Sequence, residues 1–235
     1  MMKIKTFGLL MIILLSGCSS LQFNQNQTHT IIDWVDFVKL NGNMYTSDWG
    51  IVLKHENDVA EEVGEVSFTV DEVVTDPGYR TKDGDAAFLD IGTKLYRVKG
   101  FGTDELIAVA DDTRVNGYKL YIQDQFRSSM INRYDEIPKD KVNSIGLYCD
   151  NESKPYKTLT GKDINKFIKL LDDGVYSPNY SPNMNNGDPL YYLMVFYTDD
   201  PIGNSFSIAD DSQNVYFYPD STRIVDSEIR DWIEQ

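Results

Sequence analysis

Imidazole and thiol side chains are scarce in this chain. Its 235 residues include two histidines, His29 and His55, and two cysteines, Cys18 and Cys149. A zinc or iron centre needs several imidazole, thiolate or carboxylate ligands around one cavity. Because His29 sits in a polar N-terminal stretch, a multi-histidine centre cannot be assembled within one chain. Cys149 ends an apolar run, Leu147-Tyr148-Cys149-Asp150, and His55 is the only base available to activate it. Cysteine is also among the most buried residue types, so at a strand end it reads first as a small apolar side chain. Neither Gly-x-Ser-x-Gly nor Ser-x-x-Lys occurs.

Oxygen chemistry is better supplied, with 37 acidic residues against 22 basic ones and a net charge of −15. Asp210, Asp211, Ser212 and Asn214 partly match a calcium loop. The match fails where the loop needs its sharp-turn glycine, which is Val215, and its bidentate glutamate, which is Ser221. Asp83-Gly84-Asp85 with Asp76 is turn chemistry before it is a ligand cradle. Two carboxylates at a fixed separation would hydrolyse a glycosidic bond, but acids spread over both halves of the chain single out no pair. No cofactor is implied and no catalytic motif is found, so the chain is expected not to be an enzyme. An envelope hydrolase of the carboxylate type and a sensor of ions or envelope state are the alternatives.

Two features point to binding instead. Lys162, Lys166 and Lys169 lie at i, i+4 and i+7 beside an apolar stripe, where they can meet anionic headgroups or wall polymers. The same pattern also describes the solvated side of an ordinary amphipathic helix. The loop from Gly174 to Pro189 is long for a connection within a compact domain. Its Tyr176, Tyr180, Asn183 and Met184 combine flat apolar area with hydrogen-bonding groups, and its prolines limit the entropy lost on ordering. This loop is the preferred contact and the lysine helix the second.

The elements that must carry these residues are mostly strands. Alternating apolar residues are predicted to form strands from Ile32 to Leu40, Glu65 to Val74, Ala86 to Leu89, Lys94 to Lys99, Leu106 to Ala110 and Tyr118 to Gln123. Asn41-Gly42 and Asn116-Gly117 supply tight turns, and His55 to Val63 reads as a helical interruption. Six or more short strands at this spacing predict a small antiparallel barrel or sandwich over 31–138. Beyond a boundary at Phe126 to Lys141, a strand at Ser144 to Cys149 precedes a helix from Thr160 to Leu171. Thr160 and Asp163 are placed as its capping box, and Ile164, Phe167, Ile168 and Leu171 form its stripe. Strands at 190–198, 205–208 and 215–218 and a helix at 227–233 complete a small α+β layer domain over 139–235. The predicted fold class is α+β, predominantly β.

The N-terminus addresses the protein. Lys3 and Lys5 precede the apolar run Phe7 to Leu15, which is too short to span a hydrocarbon core of about 30 Å. The following Leu15-Ser16-Gly17-Cys18 resembles the lipobox of bacterial lipoproteins. That resemblance implies cleavage after residue 17, a diacylglycerol thioether on Cys18, acylation such as palmitate, and anchoring by lipid at the outer face of the cytoplasmic membrane. Residues 18–30 then form a polar tether with a reach of about 20 Å. The block from Lys82-Asp83-Gly84-Asp85 through Gly92-Thr93-Lys94 to Val98-Lys99-Gly100 resembles one found in uncharacterised lipoproteins and extracytoplasmic domains of Gram-positive bacteria. A body this acidic repels phosphate backbones, so nucleic acid is not an expected partner. The expectation is a non-catalytic binding or accessory module, with an envelope protein or a wall polymer as its partner.

Overall fold

The computed structural model describes residues 32–131, 133–149, 152–218 and 222–234. The apolar leader, the Leu15-Ser16-Gly17-Cys18 box and the polar tether lie outside the described residues. From Ile32 onward the chain forms one compact unit. Among its described residues, no helix is long and apolar enough to cross a membrane.

Sixteen short strands are found among the described residues. In chain order β1 (Phe37–Leu40), β2 (Asn43–Ser47), β3 (Ile51–Leu53), β4 (Val59–Glu65), β5 (Phe68–Thr69) and β6 (Asp85–Ala86) come first. They are followed by β7 (Lys94–Val98), β8 (Leu106–Ala110) and β9 (Tyr118–Gln123). The remainder are β10 (Ser144–Cys149), β11 (Lys157–Leu159), β12 (Val175–Tyr176), β13 (Leu190–Tyr197), β14 (Ile202–Asp210), β15 (Val215–Phe217) and β16 (Arg223–Val225). Helix α1 spans Lys162–Asp172 and the short α2 spans Arg230–Ile233. The first sheet runs β4-β7-β8-β9-β2-β1-β6-β5, and the second runs β11-β10-β13-β14-β15-β16-β12 with β3 paired to β14. One sheet curls as a half-barrel, and the architecture is the predominantly β, α+β class expected from the sequence.

Local chemistry explains the hairpins. Asn41 and Gly42 take φ of 51° and 79°, and Asn116 and Gly117 take 55° and 77°. These left-handed values suit a turn whose twist matches its flanking strands, and Asn-Gly adopts them at least cost. Asn41-Gly42 joins β1 to β2 directly, whereas Asn116-Gly117 closes the longer connection from β8 to β9, within a 3-10 turn at Val115–Gly117. Helix α1 buries the predicted stripe of Ile164, Phe167, Ile168 and Leu171 against the second sheet.

Several local expectations are corrected. The stretch from His55 to Val63 holds only a 3-10 turn at Glu56–Asp58, and then the bulged strand β4. Its glutamates face solvent, where Arg97 donates to Glu61 and Lys94 pairs with Glu62 and Glu65 across the ladder. Cross-strand ion pairing there outweighs the helical preference of Glu and Ala. The capping box at Thr160 does not form. Gly161 occupies the N-cap, and it is the Thr160 carbonyl that accepts the Asp163 N–H. Strand β6 joins β1 and β5, and β7 lies between β4 and β8.

The stretch read as a boundary is itself part of the core. Tyr134 is fully buried, meets Phe196, Phe206 and Phe217 edge-on, and donates its hydroxyl to Asp172 at 2.8 Å. Strand β3 ties the sheets together. It leaves the first sheet's chain path to pair Ile51–Leu53 with Asn204–Ile202. Ile51, Leu53 and Ile202 then share a core with Leu106, Leu120 and Ile122.

Candidate functional site

On β14, alternation sends Phe206, Ile208 and Asp210 to one face of the second sheet and Ser205, Ser207 and Ala209 to the other. The first face packs under α1 and α2. The second is covered only in part. The turn between β8 and β9 brings Val115 onto Tyr148, Val195 and Tyr197, together with Val52 of β3. The turn before β3 then sets Trp49 over Ser205, whose hydroxyl donates to the Trp49 carbonyl while its N–H donates to the Gly50 carbonyl. Beyond Trp49 this face lies open as a cleft of about 510 Å³.

The cleft is walled by aromatic rings. Trp49 is 74% exposed, Tyr191 50% and Tyr218 54%, all three lining it. The Arg114 guanidinium lies 3.1 Å from the Trp49 ring centroid, so one indole face is taken and the ring is braced. Arg114 is mostly buried and also lies 3.6 Å from Asp111. Burial pulls its pKa below the usual guanidinium value, with Asp111 and Asp36 acting the other way. Lys119 pairs with Asp36, and Asp48 with Arg127. Small Ser205 and Ser207 form the floor, with Leu193 opposite Ser207 in register.

The loop chosen from the sequence lies on the flank of this surface. Tyr180 packs at a tilt against Tyr216, with ring centroids 5.1 Å apart, and donates its hydroxyl to Asp211, and the Asn183 N–H reaches the same carboxylate at 2.8 Å. Asp211 also accepts from the N–H groups of Gln213 and Asn214. Burial pushes its carboxyl up, but these hydrogen bonds outweigh that, and its pKa lies below the usual aspartate value. Tyr176 sits on the edge strand β12 at 66% exposure, and Met184 is 56% exposed; neither lines the cleft.

Lys162, Lys166 and Lys169 are exposed on α1, across the sheet from the cleft. Lys166 lies 3.9 Å from Asp163 and Lys169 2.6 Å from Asp173. Lys166 and Lys169 share a shallow hollow with Asp173, Asp226 and Glu228, whose charges offset theirs.

The other sequence candidates have structural duties. Asp210 holds Arg230 through two bonds, at 2.7 and 2.9 Å, and Asp211 clasps the loop as described, so this turn spends its carboxylates internally. Asp85 accepts from the Tyr79 hydroxyl and the Lys82 N–H, Asp83 from the Gly42 N–H and Asp76 from the Gly78 N–H. Cys149 lies in register with Tyr192 and through it with Ile208. His55 follows β3, whose last residue Leu53 faces Ile202. Six positions of β14 separate the two registers, about 20 Å of strand, so thiol and imidazole do not meet.

Sequence reasoning missed Trp49, Arg114, Tyr191, Ser207 and Tyr218. Only the run Leu190 to Tyr197 carried a signal, as a strand with a tyrosine near its start. No family model, curated protein or solved structure matches the chain.

Proposed function

We propose that this is a non-catalytic binding or accessory module of the cell envelope, held by lipid on Cys18 at the outer face of the cytoplasmic membrane. The cleft beside Trp49 is its contact site. One observation carries the choice of site: exposed Trp49, Tyr191 and Tyr218 converge on a floor of small residues, and Arg114 holds Trp49 in place. Concave aromatic surfaces with a few polar groups are the usual form of a ligand site. The resemblance of Leu15-Ser16-Gly17-Cys18 to a lipobox supports the address. The loop of Tyr180 and Asn183 flanks the site, and Tyr176, Met184 and the lysines of α1 are secondary contacts at most.

A photocrosslinking amino acid placed at Ser207, and separately at Lys162, tests the reading in cells. Adducts from position 207 and none from 162 are expected. Adducts from 162 alone, or from neither, overturn the assignment of the cleft. For the anchor, Cys18→Ala is expected to release the protein into the medium, and retention on membranes would remove the lipid from the proposal.

A further inference from the structure

We propose that the cleft takes a saccharide, an uncharged and hydroxyl-rich segment lying along β14 between Tyr191 and Tyr218 with one ring against the free face of Trp49. This rests on the binding reading just given and adds the class of ligand.

The first support is shape. Ser207 is the exposed floor residue between buried Ser205 and Ala209, with Tyr191 of β13 opposite Ala209 on one side and Tyr218, just past β15, on the other. Pyranose rings are flat, with apolar C–H faces and hydroxyl rims, so they match aromatic walls and a hydroxyl-bearing floor together. Hydroxyls on both sides can donate or accept, which lets one trough serve a ring with hydroxyls in several directions.

A second, independent observation points to a ligand group. Tyr216 is 1% exposed, and its hydroxyl has no hydrogen-bond partner. Among the described residues no other buried side-chain oxygen or nitrogen is in that state. Tyr216 is on the trough side, since its neighbours Val215 and Phe217 point into the helix-side core. Its ring lies 5.8 Å from that of Tyr218, and its hydroxyl faces that of Tyr191 without the geometry of a formed hydrogen bond; burial, followed by these two tyrosines, raises its pKa. A buried hydroxyl without a partner is costly; Tyr216 lies behind the cleft wall, so a ligand relieves it by drawing the Tyr191 and Tyr218 rings aside.

Charge and backbone argue against the main competitors. Arg114, Lys119 and Asp48 have counter-ions at the cleft, and exposed Glu152 adds negative charge to its lining, which disfavours an anionic ligand. The trough also runs over a sheet face, and backbone N–H and C=O groups point sideways along the ladders. An extended peptide therefore finds no strand to pair with there.

The test is titration calorimetry of the full chain in detergent against N-acetylated chitotriose, cellotriose, maltotriose and a decaproline peptide, with tryptophan fluorescence read in parallel. At least one trisaccharide is expected to bind with a dissociation constant at or below about 1 mM and to shift the emission. Ser207→Tyr fills the trough and is expected to abolish binding, while Trp49→Ala weakens it by about tenfold or more. Tyr216→Phe is expected to weaken it by about 3- to 10-fold while leaving the free protein at least as stable. No binding of any trisaccharide at about 10 mM, or binding that survives Ser207→Tyr, overturns the proposal. A Tyr216→Phe protein that is clearly less stable shows that the hydroxyl is already satisfied, and also overturns it. Decaproline binding without sugar binding removes the saccharide but keeps the cleft as a binding site. Silence from every probe combined with no crosslinks from position 207 removes both.

Discussion

On the helix side of the second sheet, Met194, Phe196, Ile208 and Phe217 sit at or below 1% exposure beneath Phe167 and Leu171. On the other side, β13 and β14 carry Tyr191 and Ser207, and Tyr218 follows β15, all of them open to solvent. One set of ladders thus supports a dry core and a wet aromatic trough. The difference comes from residue size at alternate positions. Large apolar groups on the helix side must be covered to be stable, whereas small groups in the centre of the other face leave a depression that the turns of the first sheet cover only as far as Trp49. Stability is invested on one face, and the other is left to contact a ligand.

The largest test of that asymmetry is Phe167→Ala, which is expected to cost about 3–5 kcal/mol in a urea unfolding series. A loss below about 1 kcal/mol would show that the helix side is not the principal core. Asp210→Ala comes next. Asp210 is tucked beneath the helices and holds Arg230 through two charge-assisted bonds, so its removal leaves a half-buried guanidinium unpaired. The expected cost is about 2–3 kcal/mol, measured the same way.

Asp211 belongs to neither face and probes the flank. Its pKa is depressed in the folded protein, so the clasp on Tyr180 and Asn183 is fully present above the unfolded aspartate value of about 4. It is lost as pH falls through the lower folded value. Amide exchange at Asn183 and Asn214 should therefore accelerate at acid pH relative to the rest of the sheet. Asp211→Asn should make that acceleration disappear and cost about 1 kcal/mol at pH 7. Tyr191→Ala, on the trough side, should change stability by less than about 1 kcal/mol. Charge reversal of Lys162, Lys166 and Lys169 should fall within about 0.5 kcal/mol each, because exposed helix pairs are worth little.

What the sequence disclosed follows from the same logic. Features set by neighbours in the chain were legible: the two Asn-Gly turns, the stripe of α1 and the strand from Ser144 to Cys149. Strand β4 was misread because its Glu and Ala favour a helix locally, and only the facing Lys94 and Arg97 make it a strand. The three-residue strands β3, β11 and β16 are too short to show a period. The trough was hidden for a further reason. Ser205, Ser207 and Ala209 carry no signal as residue types, and they form a floor only once Tyr191 and Tyr218 are known to stand on either side. Trp49 and Arg114 lie in turns of separate hairpins, so nothing in the spacing brings them together. In the long Tyr and Asn loop Tyr176 stays exposed, while Asp211 ties down Tyr180 and Asn183.

Strand β3 also constrains how the molecule comes into being. The bond from Ser205 to Trp49 closes a span of 156 residues, and the β3–β14 pairing beside it closes one nearly as long. Until β14 has emerged, Ile51 and Leu53 have no partner strand and the first sheet's outer core stays open. A contact of such range is slow to form. A chain delivered from its N-terminus must therefore keep its first half unfinished until almost the last strands arrive, and the wall of the trough at Trp49 is set only at that final step.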